Sequence, residues 1–352
     1  MVQPLLDSPV KSRKPKNSPF FQQKLPAWQP MFTAKKSGIM FIVLGVILIP
    51  IGVILLITSN NVLEYHVDYT DCTRNGSQEL CSDIIMNTAE KCICLKEITV
   101  ETSIPGPVFI YYGLKNFYQN HRRYARSKSD EQLLGIYQDP SALSSCEPYA
   151  SINSKPILPC GAIANSIFND TFSITYLRQN GTKVSVPTLR NGIAWRSDLD
   201  RKFGVLDEKA INNTIKPPSW PIPLQERSSK PFPTDEDLIV WMRIAALPSF
   251  RKLNSFVMHK DEFANGLPSG TYEIAINYNY PVVSFGGRKS IILANSSWLG
   301  GKNPTLGISC IVTGCIHLCL GIAFLIAHFM FGKRGVLKLH EIEKLKALEL
   351  KC

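Results

Sequence analysis

Residues Ile39–Ile57 read IMFIVLGVILIPIGVILLI. The run is uncharged and about as long as the apolar core of a bilayer requires, at ~1.5 Å of rise per residue. A basic tail precedes it, and the layout is not that of a cleaved secretory signal, so it reads as a permanent anchor. A second such run, Leu306–Phe331, lies near the other end. The two divide the chain into a tail (1–38), a first span (39–59), a large loop (60–305), a second span (306–331) and a closing tail (332–352).

Charge gives this layout a direction. Residues 1–38 carry a net +6 and residues 332–352 a net +3, which leaves +2 for everything between them out of the total of +11. Basic excess in short segments flanking membrane spans marks the cytoplasmic side. Both termini are therefore expected in the cytoplasm and the loop outside. Nucleic-acid binding is not expected, because it needs a basic face on a folded domain.

Cysteines and sequons agree. Cys72, Cys81, Cys92, Cys94, Cys146 and Cys160 fall in the loop, and Cys310, Cys315 and Cys319 in the second span. Sequons begin at Asn75, Asn169, Asn180, Asn212 and Asn295, all in the loop, whereas Asn303-Pro-Thr is barred by its proline. An oxidising, glycosylating lumen accounts for both sets. Cys92 and Cys94 are too close to bridge to each other without strain, so each is expected to pair outward. Cys146 and Cys160 form the natural third pair, closing a short loop worth ~3 kcal/mol in the chain-entropy picture. A zinc knuckle would want two-residue spacers and a reducing compartment, so no metal is expected.

Along the chain, residues 1–20 are rich in Pro, Lys and Ser and read as disordered. Phe20, Phe21, Leu25 and Trp28 then form an apolar stretch whose prolines, Pro26 and Pro30, oppose a helix. Gly38, Gly45 and Gly52 in the first span and Gly307, Gly314 and Gly321 in the second recur every seven residues. Each set makes a smooth ridge on one helix face, suited to close packing of the spans on each other or on a partner. Pro50 is expected to kink the first span. His317 and His328 share a face, and neutral histidine held by a neighbouring helix is the simplest reading of them.

Within the loop, Pro107–Arg123 reads as an aromatic-rich helix with proline in its first turn. Phe172–Leu177, Asn180-Gly181 and Val184–Val186 read as a hairpin. Tyr272–Tyr280 and Ile291–Leu293, joined through Gly286-Gly287, read as a second. Thr234 begins a capped turn before a helix over Leu238–Leu247. The proline-rich stretch 203–233 reads as irregular connection, and Leu337–Leu350 as an amphipathic helix. The expected class is a membrane protein of α+β type, with two transmembrane helices flanking a large, mainly antiparallel β, disulfide-bonded ectodomain. The loop's histidines, His66, His121 and His259, are scattered, and no HExxH, GxSxG, Walker or calcium-loop pattern occurs. The residues thus offer no catalytic constellation, cofactor or metal site.

Taken together, several ordered blocks make the chain resemble the cell-division-cycle-protein-50 family, the accessory β subunits of type IV P-type ATPases, or lipid flippases. They include Phe21-Gln-Gln-Lys-Leu-Pro-Ala-Trp28 before the first span, Gly106–Tyr112, Asn116–Asn120 and Pro159–Ser166. Val240–Arg243, Ala245–Pro248, Asn279–Val282 and Ser297-Trp298 with Gly300–Pro304 follow. The resemblance implies a sandwich-like ectodomain and a stable heterodimer with a much larger catalytic subunit, in contact with membrane lipid. It implies no catalysis by this chain, and a role in the partner's exit from the endoplasmic reticulum, stability and activity. Residence in the endoplasmic reticulum, Golgi or plasma membrane is implied with it. It implies nested bridges, Cys72–Cys94 and Cys81–Cys92, beside Cys146–Cys160. It also makes Phe21, Gln22, Leu25 and Trp28 candidate partner contacts along the cytoplasmic face. The family's Gly-Ile-Ala-Trp-Trp block reads Gly192-Ile-Ala-Trp-Arg196 here, and the region after Asp207 is short, as in a divergent paralogue. The competing reading, from layout alone, is a two-span ligand-gated or acid-sensing channel subunit.

Overall fold

A computed structural model of the chain describes residues 14, 16–25, 32–87, 90–227 and 235–349. Two compact units result: Met1–Ile54 with Leu306–Cys352, and Leu55–Thr305.

The first unit contains two helices long and apolar enough to cross a membrane. Helix α1 runs Ala34–Asn60, unbroken through Pro50. The second apolar stretch, Thr305–Phe331, opens a single 45-residue helix, Thr305–Glu349. The backbone of the closing tail therefore continues the span as helix rather than starting a separate one. The glycine ridges face each other. Gly38 lies against Gly321, Gly45 against Gly314 and Gly52 against Gly307, each close enough that a side chain would strike the opposite backbone. Without side chains at these steps the two backbones approach closely and gain dispersion contacts that lipid cannot supply. His317 donates from Nδ1 to the Thr313 carbonyl one turn back (2.8 Å), and its ring lies 5.3 Å from that of Phe41.

The second unit is a β-sandwich with helices added on one side. One antiparallel sheet is built from β1 (Glu64–Asp68), β3 (Val108–Lys115), β6 (Thr188–Leu189), β7 (Phe250–Val257) and β9 (Arg288–Asn295), in the order β1-β9-β3-β7-β6. The other holds β2 (Cys92–Val100), β4 (Thr171–Leu177), β5 (Lys183–Ser185) and β8 (Gly270–Tyr278), in the order β2-β8-β4-β5. Ile110, Ile291 and Leu293 of the first sheet meet Ile174, Tyr272, Ile274 and Ile276 of the second in one buried cluster. Further along β3, Tyr112 and Leu114 continue the same strand face into a second cluster with Trp220, Trp241 and Tyr280. Short helices cover that end, among them α3 (Arg196–Lys202) and α4 (Glu236–Met242), whereas α2 (Cys81–Asn87) packs on the first cluster through Cys81 and Ile84.

Four local expectations are corrected. Pro107–Arg123 is not a helix: Val108–Lys115 is the central strand β3, and only Arg122–Arg126 is helical. Val108, Ile110, Tyr112 and Leu114 are all buried, a period of two, and neighbours β9 and β7 take up the backbone hydrogen bonds on both edges. The hairpin over Phe172–Val186 forms, with Tyr176 opposite Val184. The second expected hairpin does not form. Both its strands exist, but β8 pairs with β2 and β4, and β9 with β1 and β3, so they meet face to face across the core rather than edge to edge. Finally, α4 stops at Met242 rather than running to Leu247. Thr234 lies outside the described residues. The cap seen is Asp235, which accepts from the Leu238 N–H. The 203–227 stretch, read as irregular, contains the short helices Glu208–Asn212 and Leu224–Arg227.

Candidate functional site

The N-terminal segment forms a turn over Pro19–Gln23. The Gln22 amide donates to the Ser18 carbonyl (3.0 Å) and the Gln23 amide to the Phe20 carbonyl (3.1 Å). Phe20 and Phe21 meet edge to face at 5.6 Å. Phe20, Phe21 and Leu25 stay largely exposed, as does Gln22. Trp28 lies outside the described residues. An apolar group of this kind left in solvent is the usual mark of a contact surface.

Three disulfides staple the ectodomain: Cys72–Cys94, Cys81–Cys92 and Cys146–Cys160. The first two join the loop and helix after β1 to β2, and the third holds a small cluster of its own around Leu143 and Ile157. Cys72, Cys81 and Cys94 have their sulfur atoms close together. All three are spent in bridges, so no thiolate remains there for a metal.

Two lysines are buried at positions that no local pattern in the chain marks. Lys289 on β9 is fully buried and donates to the Asp170 carboxylate (2.7 Å) and the Tyr280 carbonyl (2.6 Å), with its ammonium 3.1 Å from the centre of the Tyr278 ring. Asp170 also accepts from the Tyr69 hydroxyl and from the backbone amides of Asn279 and Tyr280. Burial lowers Lys289 to about 8, against the pull of Asp170. Lys252 on β7 donates to the Val240, Trp241 and Arg243 carbonyls, closing the end of α4. Burial, helped by the Arg243 charge, lowers it to about 7.

Next to Lys252 opens a cleft of about 540 Å³. Trp195 stands at its rim, 66 % exposed, with the Arg243 guanidinium 5.1 Å from its ring. Arg243 is held by Asp198 of α3 (3.0 Å). Burial pushes the Asp198 carboxyl up, but hydrogen bonds from Arg243 and Lys202 outweigh this and hold it below the usual range. Also lining the cleft, Arg251 lies over Tyr111 (5.0 Å) and is paired with Glu64 (2.6 Å). The loop carrying Trp195 is fixed by the Glu236 carboxylate, which accepts from the Gly192 and Ala194 amides (2.8 Å each). Arg196, the position that departs from the family block, is exposed. The blocks Gly192–Arg196, Val240–Arg243 and Ala245–Pro248, scattered in sequence, thus converge on one apolar-and-cationic surface. Alternation and motif scanning had no means of finding it, since it is assembled from loop and helix ends.

Of the sequon asparagines, Asn75, Asn169, Asn180 and Asn212 are exposed. Asn295 is half-buried and its side-chain oxygen accepts from the Leu63 amide (2.9 Å).

Comparison with known proteins points to the same family over most of the chain. The pattern of the LEM3 (ligand-effect modulator 3) family / CDC50 family matches residues 55–334. Cell cycle control protein 50A of Bos taurus is 44 % identical over 336 residues, covering 92 % of this chain and 91 % of its own. Cell cycle control protein 50B of Homo sapiens is 41 % identical over 338 residues, covering 91 % and 95 %. ALA-interacting subunit 3 of Arabidopsis thaliana is 37 % identical over 337 residues, covering 92 % and 88 %. Two apolar spans around a three-disulfide antiparallel ectodomain complete the agreement, and the chain belongs to the LEM3/CDC50 family, membership of which implies an accessory subunit of a type IV P-type ATPase.

Proposed function

We propose that this chain is the non-catalytic subunit of a flippase that moves aminophospholipids, binding one catalytic ATPase and supporting its exit from the endoplasmic reticulum, its stability and its activity. The termini lie in the cytoplasm and the stapled ectodomain in the lumen or outside the cell, along the route from endoplasmic reticulum to Golgi and plasma membrane. The ectodomain docks on the partner's outer loops, and Phe21, Gln22, Leu25 and Trp28 contact it on the cytoplasmic side. The observation that carries this is the convergence of three separate family blocks on the exposed Trp195–Arg243 cleft. A surface rimmed by an exposed tryptophan and an arginine has the composition of an interface hot spot.

The test is affinity purification of the tagged full-length chain from mild-detergent membranes, with mass spectrometry and mass measurement of the complex. A one-to-one complex with a type IV ATPase, weakened in Trp28→Ala, is expected. A homotrimer without a larger partner would overturn the proposal in favour of a channel subunit.

A further inference from the structure

A second cavity, of about 210 Å³, opens beside β4, and the sequon residue Asn169 lies on its rim. Its volume is below the ~300 Å³ at which pockets for drug-sized ligands begin, and suits a single sugar ring. Tyr112 and Phe168, stacked at 4.0 Å, give it an apolar wall. The Arg190–Asp237 ion pair (3.5 Å) gives it exposed donors and acceptors. Its most telling member is Asn254. Strand β7 carries a bulge between Leu253 and Ser255, and Asn254 is the extra residue. A bulge re-aims a side chain that regular alternation would place elsewhere. Asn254 is 6 % exposed, and its Oδ1 accepts from the Ser255 hydroxyl (3.2 Å). Its Nδ2 has no hydrogen-bond partner among the described residues and is not one of their fully buried polar atoms, so it remains a donor open to the cavity.

Asn169 is held in place through its backbone and its neighbour. Its carbonyl accepts from the Asn279 side chain (3.1 Å), and its neighbour Asp170 is the buried acceptor for Lys289, Tyr69 and two backbone amides. The Asn169 carboxamide itself is exposed, with no hydrogen bond to a described residue.

We infer that this groove is the seat of the first N-acetylglucosamine carried by Asn169. The inference rests on the lumenal placement of the loop proposed above. Glycan transfer forms the bond from Asn169 Nδ2, which loses a proton, to the sugar C1. It breaks the bond from C1 to a lipid-linked diphosphate donor, which leaves as the diphosphate. The attached ring is then tethered at the groove mouth. Its apolar C–H face packs on Tyr112 and Phe168. Its hydroxyl and acetamido groups meet Asn254 Nδ2 and the Arg190–Asp237 pair. The tether removes most of the translational cost of binding, so a shallow groove suffices.

The experiment uses full-length chain made in glycosylating cells and purified in mild detergent. It is digested undenatured with the amidase that cuts the asparagine–sugar bond, and release at each site is followed by glycopeptide mass spectrometry. Release at Asn169 is expected about tenfold more slowly than at Asn180 in the same molecules, because cleavage must await local opening. Asn254→Leu and Arg190→Ala are expected to speed release at Asn169 and leave Asn180 unchanged. Equal rates at the two sites in the unaltered chain would overturn the groove, as would slow release unmoved by both substitutions. So would a bare Asn169 beside occupied Asn75 and Asn180. A chain without sugar at any sequon would overturn the lumenal reading itself. The comparison within the unaltered chain decides the matter even where a variant fails to fold.

Discussion

A methyl group on Gly45 would sit 2.8 Å from the carbonyl oxygen of Gly314 and 2.7 Å from Leu318 Cγ. The relation is nearly reciprocal, since a methyl on Gly314 would sit 2.7 Å from Ile49 Cγ1 and 3.3 Å from the Gly45 oxygen. The two spans are therefore in backbone contact at the middle of the ridge. Gly45→Ile is expected to force them apart at a cost of ~1–3 kcal/mol, the usual range for overpacking. Val46→Ile, one step round the helix at an exposed position, is expected to cost nothing measurable. Thermal unfolding of the two variants in the same detergent checks this, and equal melting temperatures would refute it.

Lys289→Met leaves the Asp170 carboxylate buried without its cation. The expected loss is ~3–5 kcal/mol of ectodomain stability. Adding Asp170→Asn to Lys289→Met removes the stranded charge and is expected to restore part of that loss. Denaturant unfolding of the single and double variants measures the difference. A double variant no better than the single would show that the charge is not the cause.

Lys252 holds its proton to about 7 when folded, whereas an unfolded lysine holds it to ~10.4. Between these values the unfolded chain binds more protons, so this group makes stability rise with pH across that window and contributes a constant cost below it. The melting temperature of the native chain, relative to Lys252→Met, is expected to climb from about pH 7 upward and to be level below. A difference that falls through that range would contradict the assignment.

Cys146→Ser opens the bridge that holds the Leu143–Ile157 cluster. Loss of a native disulfide in an exported domain costs ~2–5 kcal/mol. The variant is expected to accumulate with immature glycans and to recover less ATPase on affinity purification. Trp195→Ala changes an exposed side chain, so it is expected to reduce ATPase recovery with normal glycan maturation. Glycan trimming and partner yield, measured together, separate misfolding from a lost contact.

The sequence by itself determined the two spans, the glycine ridges, the antiparallel class of the loop and the Phe172–Val186 hairpin. Each is a local pattern: a run of apolar residues matched to a bilayer, a seven-residue step, an alternation of two, an Asn-Gly turn. The family was legible too, because its blocks are contiguous strings. What only the tertiary structure decided involves residues far apart in the chain. Whether Val108–Lys115 was strand or helix depended on β9 and β7 lying on either side of it, nearly 180 and 140 residues away. Tyr272–Tyr280 and Ile291–Leu293 were legible as strands, but sheet membership is set by which edge each finds, and no local signal encodes that. The Lys289–Asp170 pair, the Trp195–Arg243 cleft and the groove joining Asn169 to Asn254 belong to the same class. A lysine in a strand normally points to solvent, and a bulge is invisible until its neighbour's register is known. These sites exist only because the core brings distant polar groups together in low dielectric, where each must find its partner or go unpaired.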